Sequence, residues 1–189
     1  MGVPVLKVQG PTSSWMGLFA KVALLAGLPF GVVMAVWMNV VMGPWRGWGH
    51  FVMWGFGLGS FFGLFLSFSI VTLARVATGA DRPGPCRQVR AVDLACACDL
   101  GIRRALAAMT ALPGASAPAL DSATGTLVKK TGMSWKSFGE VVTVAVEPAT
   151  GDSCRVSIES RPRVRTTIVD YGVNMKNADA VANALRGPA

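Results

Sequence analysis

The sequence predicts a two-span α-helical transmembrane hairpin followed by a small α+β domain. The prediction depends on a contrast in composition between the two halves of the chain. Residues 1–80 contain no Asp or Glu and hold two long apolar runs, whereas residues 81–189 contain all ten acidic residues. Apolar runs of span length fold in lipid, and the mixed composition of the second half is typical of a water-soluble domain. The predicted divisions are a juxtamembrane segment (1–21), the hairpin (22–77), a linker (78–87) and the α+β domain (88–189).

The first predicted span, Val22–Met42, has 21 residues and one strongly polar side chain, Asn39. As a helix it extends about 30 Å, the thickness of a bilayer core. The second span, Phe51–Leu73, is also free of charge, and the loop Gly43–His50 between them is rich in turn formers and tryptophan. Both spans are predicted to be helical because a segment in lipid must satisfy its own backbone hydrogen bonds.

The distribution of basic residues predicts the orientation of the hairpin. Two basic residues precede the first span, four follow the second and one lies in the connecting loop: Lys7 and Lys21, then Arg75, Arg82, Arg87 and Arg90, and Arg46. Under the positive-inside rule both termini are in the cytoplasm, and we expect a bacterial inner-membrane protein. Cysteines in that compartment stay reduced, so the four in this chain are expected to be small buried side chains rather than disulfides or a metal site.

The second span carries glycines at four-residue spacing, Gly55, Gly59 and Gly63. Such a strip lets another helix backbone approach closely, which favours helix packing in lipid. The strip is expected to pack against neighbouring copies or a partner membrane protein; the alternative is packing against Gly27 and Gly31 of the first span. Asn39 is expected to bridge helices by hydrogen bonding, with a pore-lining role as the alternative.

The second half predicts the order (β)αβββα, an antiparallel sheet with helices on one face. The predicted elements are a short strand at 88–92, a helix over 94–112, a loop at 115–123, strands at 125–130, 139–147 and 153–160, and a last helix capped by Asn174 or Asn177. The strand at 153–160 alternates most cleanly between apolar and polar residues. Packing helices on one face of the sheet would bury the apolar side of every element.

Residues 90–186 resemble a loose group of bacterial α+β domains with no established activity. The shared pattern is a strand ending in Ser-Arg, more basic residues, Asp-x-Gly-x-Asn and a closing helix, preceded by a W-x-S-x-G turn. The matching residues are Ser160, Arg161, Arg163, Asp170, Gly172 and Asn174, with Trp135, Ser137 and Gly139 in the turn. The resemblance implies a fold and no function. From the residues themselves, we expect Asp170, Gly172 and Asn174 to form a strand-to-helix turn, with Asp170 pairing with Arg161 or Arg163.

Arg161, Arg163 and Arg165 fall at alternate positions, so in an extended chain they would form a basic stripe on one face. The stripe is expected to be solvated, with an anionic lipid surface or an acidic protein as the alternative contact. Nucleic acid is not expected, because the domain has few aromatic residues and no recognisable binding motif.

No catalytic, cofactor-binding or metal-ligating pattern is present in the sequence, and the single histidine, His50, lies in the predicted external loop. The sequence therefore predicts a non-enzymatic membrane protein that acts as an oligomeric scaffold or as an accessory subunit of a membrane complex. Its partners would be membrane lipid and further copies or other membrane subunits. The alternatives are a small homo-oligomeric pore and a membrane-tethered module that binds lipid or a ligand.

Overall fold

The computed structural model describes residues 6–8, 14–41, 47–81, 83–114, 116–134 and 136–187. The chain divides into two compact units. One is Thr12–Gly84, and the other combines Met1–Pro11 with Pro85–Ala189. Most of the predicted inter-span loop and Trp135 of the W-x-S-x-G turn lie outside the described residues.

The first unit, which we call the hairpin unit, contains helices α1 (Trp15–Val36) and α2 (Trp48–Thr78), with a π-helical turn (Trp37–Val41) continuing α1. Both helices are long and apolar enough to cross a membrane, with mean hydropathies of 2.0 and 1.9. The side chain of Ser14 caps α1 by accepting from the Gly17 amide, and α2 ends at a glycine in the left-handed conformation.

The second unit, which we call the sheet unit, is a six-stranded antiparallel sheet with two helices. The strand order is β1-β2-β6-β5-β4-β3. The elements are β1 (Leu6–Val8), β2 (Gln88–Leu94), α3 (Cys98–Thr110), β3 (Ala119–Asp121), β4 (Thr126–Lys130), β5 (Glu140–Pro148), β6 (Cys154–Pro162) and α4 (Val173–Arg186). The predicted α+β composition and antiparallel sheet are confirmed.

The core of the sheet unit lies between one face of the sheet and the helices. Alternate side chains of the central strands are buried there, such as Val144 of β5 and Ile158 of β6. They pack with Met109 of α3 and Val181 of α4 in one apolar cluster. Along these strands the buried positions alternate with half-buried ones, which form the other face of the sheet. Neither α3 nor α4 covers that face.

The sheet has two edge strands that the sequence pattern does not reveal. Leu6–Val8, within the predicted juxtamembrane segment, pairs with β2, and Ala119–Asp121, within the predicted loop, pairs with β4. Each has three residues, too few to show a period of two, so only the neighbouring strand defines it. β2 is also longer than predicted, because Leu94 pairs with Cys154, and α3 therefore begins at Cys98.

Candidate functional site

The face of the sheet opposite α3 and α4, which we call the open face, has a row of small side chains across its centre. The cross-strand register places Ser157 of β6 between Ala91 of β2 and Ala145 of β5, and Thr126 of β4 follows Ala145. These four side chains are half-buried, as expected for a sheet face that no helix of the unit covers. The row has no large side chain at its positions on β2, β6, β5 and β4.

Charged side chains border this row, and Arg155 and Arg161 of this face lie beside acids, whereas Lys130 at the end of β4 is on the same face and outside the ion pairs of the described residues. Arg155 donates to Asp93 at 2.7 Å, and this hydrogen bond lowers the pKa of the Asp93 carboxyl and raises that of the guanidinium. Arg87 donates to Glu159 at 2.7 Å, and Arg161 lies 3.7 Å from the same carboxylate. Exposed pairs of this kind add little stability. Their consequence is electrostatic, because they leave the open face without a one-signed patch.

Only Arg161 of the three arginines in the expected stripe lies within a strand, and it is beside Glu159. β6 ends at Pro162, and the amide of Arg163 still donates to the Gly139 carbonyl at 2.9 Å, in the register of the β5–β6 ladder. A turn follows, in which the Thr167 amide donates to the Val164 carbonyl at 3.1 Å, so Arg165 leaves the strand direction; Arg163 and Arg165 are both exposed. Residues at alternate positions share one face of a strand only where the chain remains extended.

The Asp-x-Gly-x-Asn segment forms a buried structural turn. Gly172, with φ of +76°, precedes α4, and Asp170 accepts hydrogen bonds from the amides of Gly172 and Asn174 at 3.1 and 3.2 Å. The Asn174 side chain donates to Asp170 and accepts from Ser160, both at 2.7 Å. Asn174 therefore lies inside the helix and does not cap it, nor does Asn177; the carboxylate of Asp170 takes the capping role.

The expected pairing of Asp170 with Arg161 or Arg163 is replaced by these amide contacts, and the ion pairs of the described residues do not include Asp170. The Asp170 carboxylate, the Asn174 side-chain amide and the Ser160 hydroxyl are hydrogen-bonded in series, and all three residues are buried. Ser160, Asp170 and Asn174 thus join the end of β6 to the start of α4, and their polar side-chain atoms are used within the fold.

The polar side chains next to the W-x-S-x-G segment are also hydrogen-bonded within the fold. The buried carboxylate of Glu140 accepts from the hydroxyls of Thr131 and Ser137, and the amide of Glu140 donates to Thr131 Oγ1 at 2.8 Å. Gly139 has φ of +88°, a conformation that glycine adopts without strain. Thr131, Ser137 and Glu140 therefore tie together the base of the connection between β4 and β5.

Three of the four cysteines meet at the start of α3. Cys154 of β6 is fully buried, and its thiol lies against the helix at Gly101, where an added methyl would be 2.6 Å from the sulfur. Burial, with contributions from the neighbouring Cys96 and Cys98 thiols, raises the pKa of Cys154 to about 11. Among the described residues no group of three or more potential ligands has a metal-binding arrangement. Cys154 is a buried core side chain, as expected from the sequence, whereas Cys96 and Cys98 are half-buried and pack against the core from its edge.

The glycine strip of α2 is occupied by α1 of the same chain. A methyl group built on Gly59 would lie 2.7 Å from the carbonyl oxygen of Gly27, and one built on Gly63 would lie 3.0 Å from the Cα of Gly27. Gly31 packs in the same way against Gly55 and Gly59. Backbone meets backbone along this contact, so the strip joins the two helices of the hairpin. That arrangement is the self-packed alternative of the sequence analysis.

The side chain of Asn39 makes its hydrogen bonds within the hairpin unit. Its side chain donates to the carbonyl of Ala35 at 2.8 Å and contacts His50 Nδ1 at 3.0 Å, and the indole of Trp54 donates to His50 Nε2 at 2.9 Å. An indole N–H can only donate, so Nε2 accepts and Nδ1 carries the proton that is donated to Asn39. The π-helical turn places Asn39 for this contact, and it bridges the helices as expected.

Sequence reasoning missed His50 as a partner of Asn39, the cysteine cluster and the row on the open face. His50 lies in the first turn of α2 rather than in a loop. The alternation of β5 and β6 identifies Ala145 and Ser157 as outward residues, but only the strand order places them side by side. No family model, curated protein or solved structure matches this chain.

Proposed function

We propose that this protein is a non-enzymatic accessory subunit of a membrane complex. In this proposal the hairpin unit anchors the chain in the bilayer, and the sheet unit binds another protein subunit through its open face. The observation that carries the proposal is the open face itself, a flat row of small side chains bordered by charges that are already paired.

The exposed surface of the hairpin unit supports membrane insertion. Large apolar side chains of both helices point outward, for example Val33 of α1 and Phe61 and Phe68 of α2, which are 63%, 71% and 67% exposed. A core helix of a water-soluble protein would bury such side chains, because exposing a continuous apolar surface to water is costly. Trp15 at the start of α1 stacks with Arg75 at the end of α2, a pairing that suits the membrane–water interface.

The pairing of β1 with β2 supports a topology with both ends of the hairpin on the same side. β1 precedes the hairpin in the chain and β2 follows it, yet Leu6 pairs with Ala91 and Val8 with Val89. Segments that share a sheet occupy one compartment, so a spanning hairpin must cross the bilayer twice. The basic residues outside the connecting loop favour the cytoplasm of a bacterium as that compartment.

The electrostatics of the open face favour a protein partner over an anionic lipid surface. Arg155 and Arg161 lie beside acidic side chains, so the face offers no excess of positive charge to headgroups. The small side chains of Ala91, Ser157 and Ala145 would instead let a flat complementary surface approach the backbone of the sheet. Shape matching of this kind is how protein interfaces exclude water from their centre.

The hairpin offers little support for the pore or for assembly through the glycine strip. The strip is filled by α1, and Asn39 is hydrogen-bonded within the hairpin rather than directed to a channel. An apolar groove of about 340 Å³ runs along the outer edge of the helix contact, lined by residues such as Leu28, Val32 and Phe56. A lipid chain or an apolar partner side chain would suit such a groove.

The proposal is tested by isolating the full-length protein from its own membranes with a mild detergent and identifying what accompanies it. The Ala145→Arg variant places a long cation in the centre of the open face. The Ala107→Arg variant makes the same change on an exposed position of α3. We expect one stoichiometric protein with the unaltered chain and with Ala107→Arg, and its loss with Ala145→Arg. Equal recovery with both variants would refute binding through the open face.

A further inference from the structure

Two large apolar side chains project from the connection between β4 and β5. Met133 is 76% exposed and Phe138 is 66% exposed, unlike the apolar residues of the strands on either side. The two stand at opposite ends of a tight turn, closed by a hydrogen bond from the Ser134 amide to the Ser137 carbonyl at 2.8 Å. Exposed apolar side chains at the tip of a structured turn are characteristic of a contact surface.

The base of the turn is hydrogen-bonded from within. The Thr131 amide donates to the Glu140 carbonyl at 2.9 Å, and the Glu140 carboxylate accepts from Thr131 and Ser137. Glu140 is the only acid between residues 122 and 146, and it is 2% exposed. The one negative charge of this region is therefore directed inward, away from the apolar side chains.

A second turn adds basic residues to the same end of the sheet. The Arg163 amide bonds to the Gly139 carbonyl, next to Phe138, and the following Val164 is 40% exposed. Arg163 and Arg165 are both exposed. Lys130, at the end of β4, is exposed as well. We call this surface the basic tip: Met133, Phe138 and Val164 with Lys130, Arg163 and Arg165.

The basic tip shares Lys130 with the end of the open face and differs in charge from the centre of that face. The ion pairs of the described residues include Arg155 and Arg161 but not Lys130, Arg163 or Arg165. Residues 161–169 contain no acid. Apolar side chains with cations around them suit the boundary of an anionic bilayer, where the apolar groups enter the headgroup region and the cations meet phosphates.

We infer that the basic tip inserts into the interface of an anionic lipid bilayer and thereby fixes the sheet unit against the membrane. This inference rests on the membrane insertion of the hairpin, which belongs to the proposed function, and not on the protein partner. The connection from Gly79 to Arg87 has nine residues, enough to span about 30 Å when extended. A domain of this size has a radius of gyration near ~13 Å, so the tether allows such a contact.

The test uses the full-length protein reconstituted in lipid nanodiscs that contain brominated phospholipid. A fluorescent amino acid is introduced at Phe138, at Leu120 or at Phe61, one position in each variant. Leu120 is an exposed apolar residue of β3 outside the basic tip, and Phe61 is an exposed residue of α2. In discs with phosphatidylglycerol we expect quenching at position 138 to exceed that at position 120 several-fold.

The lipid dependence separates the contributions of charge and apolar contact. With K130Q, R163Q and R165Q combined, or in discs of phosphatidylcholine alone, quenching at position 138 should fall toward the value at position 120. Quenching that is unchanged by both alterations would refute the role of anionic lipid.

Position 61 separates the failure of this inference from the failure of the proposed function. Quenching at position 61 with none at position 138 would refute the basic tip and leave the anchored subunit intact. No quenching at position 61 would show that the hairpin is outside the lipid, which would refute both proposals.

Discussion

Replacing Gly59 by Ala should weaken the hairpin, although alanine is the better helix former. The added methyl would lie 2.7 Å from the Gly27 carbonyl oxygen and 2.9 Å from the Gly31 Cα. Ordinary contacts of this kind are about 3.5 Å or longer, so the helices must separate by roughly 0.5–1 Å. Both obstructing atoms belong to the backbone, so no side chain can rotate to make room.

The size of the effect follows from the contacts that this separation weakens. A gap of 0.5–1 Å forfeits about a quarter to a half of each van der Waals well, and overpacking of a close interface typically costs about 1–3 kcal/mol. Gly57 is the matched control, because it lies in the same helix and has no atom within 4 Å of its added methyl. We expect Gly59→Ala to unfold with about 1–3 kcal/mol less free energy than Gly57→Ala.

The assay is reversible unfolding of the full-length protein in mild detergent by titration with sodium dodecyl sulfate, followed by tryptophan fluorescence. Trp15 and Trp54 lie in the two helices and report on their separation. Equal stability of Gly59→Ala and Gly57→Ala would refute the close backbone contact between the helices.

Three further predictions concern buried polar groups. Asn39→Leu removes the acceptor of the His50 N–H and should cost about 1 kcal/mol in the same titration, and a double-mutant cycle with His50→Phe should be non-additive; additivity would exclude the contact. Asn174→Leu should destabilise the sheet unit by about 1–3 kcal/mol in thermal unfolding, because Ser160 and Asp170 each lose one buried hydrogen bond, whereas the exposed Asn183→Leu should be near neutral. Equal shifts would contradict the buried hydrogen bonds of Asn174. The pKa of the Cys154 thiol is raised to about 11, so the stability that the protonated thiol contributes should be complete below about pH 8.5, the ordinary thiol pKa, and should fall as pH rises towards 11. Iodoacetamide should label Cys154 more slowly at pH 8 than it labels Cys96 or Cys98, and faster labelling of Cys154 would contradict its burial.

The long-period features of the fold were predictable from the sequence. Apolar runs such as Phe51–Leu73 identify helices of span length, because a run of that length has few other stable forms. The alternation of Cys154, Val156 and Ile158 identifies a strand with one buried side, and it is observed in β6. These signals are local, so neighbouring elements are not needed to interpret them.

Features that depend on distant partners were not predictable. β1 is defined only by its pairing with β2, which follows the whole hairpin in the sequence, so the residues around Leu6 do not by themselves indicate a strand. The turn after β6 is closed by the bond from the Thr167 amide to the Val164 carbonyl, and the spacing of the arginines does not show that Arg165 leaves the strand direction there. Asn39 contacts His50 from within a π-helical turn, which no residue pattern announces.

The central claim is that the sheet unit binds a protein while the hairpin unit anchors it. The most direct test is the mass of the intact complex after mild detergent extraction of the full-length protein from its own membranes. The account predicts a complex with one foreign subunit in fixed stoichiometry, reduced to the chain alone by Ala145→Arg and preserved by Ala107→Arg. Recovery of the unaltered chain only as a monomer or only with copies of itself would contradict it.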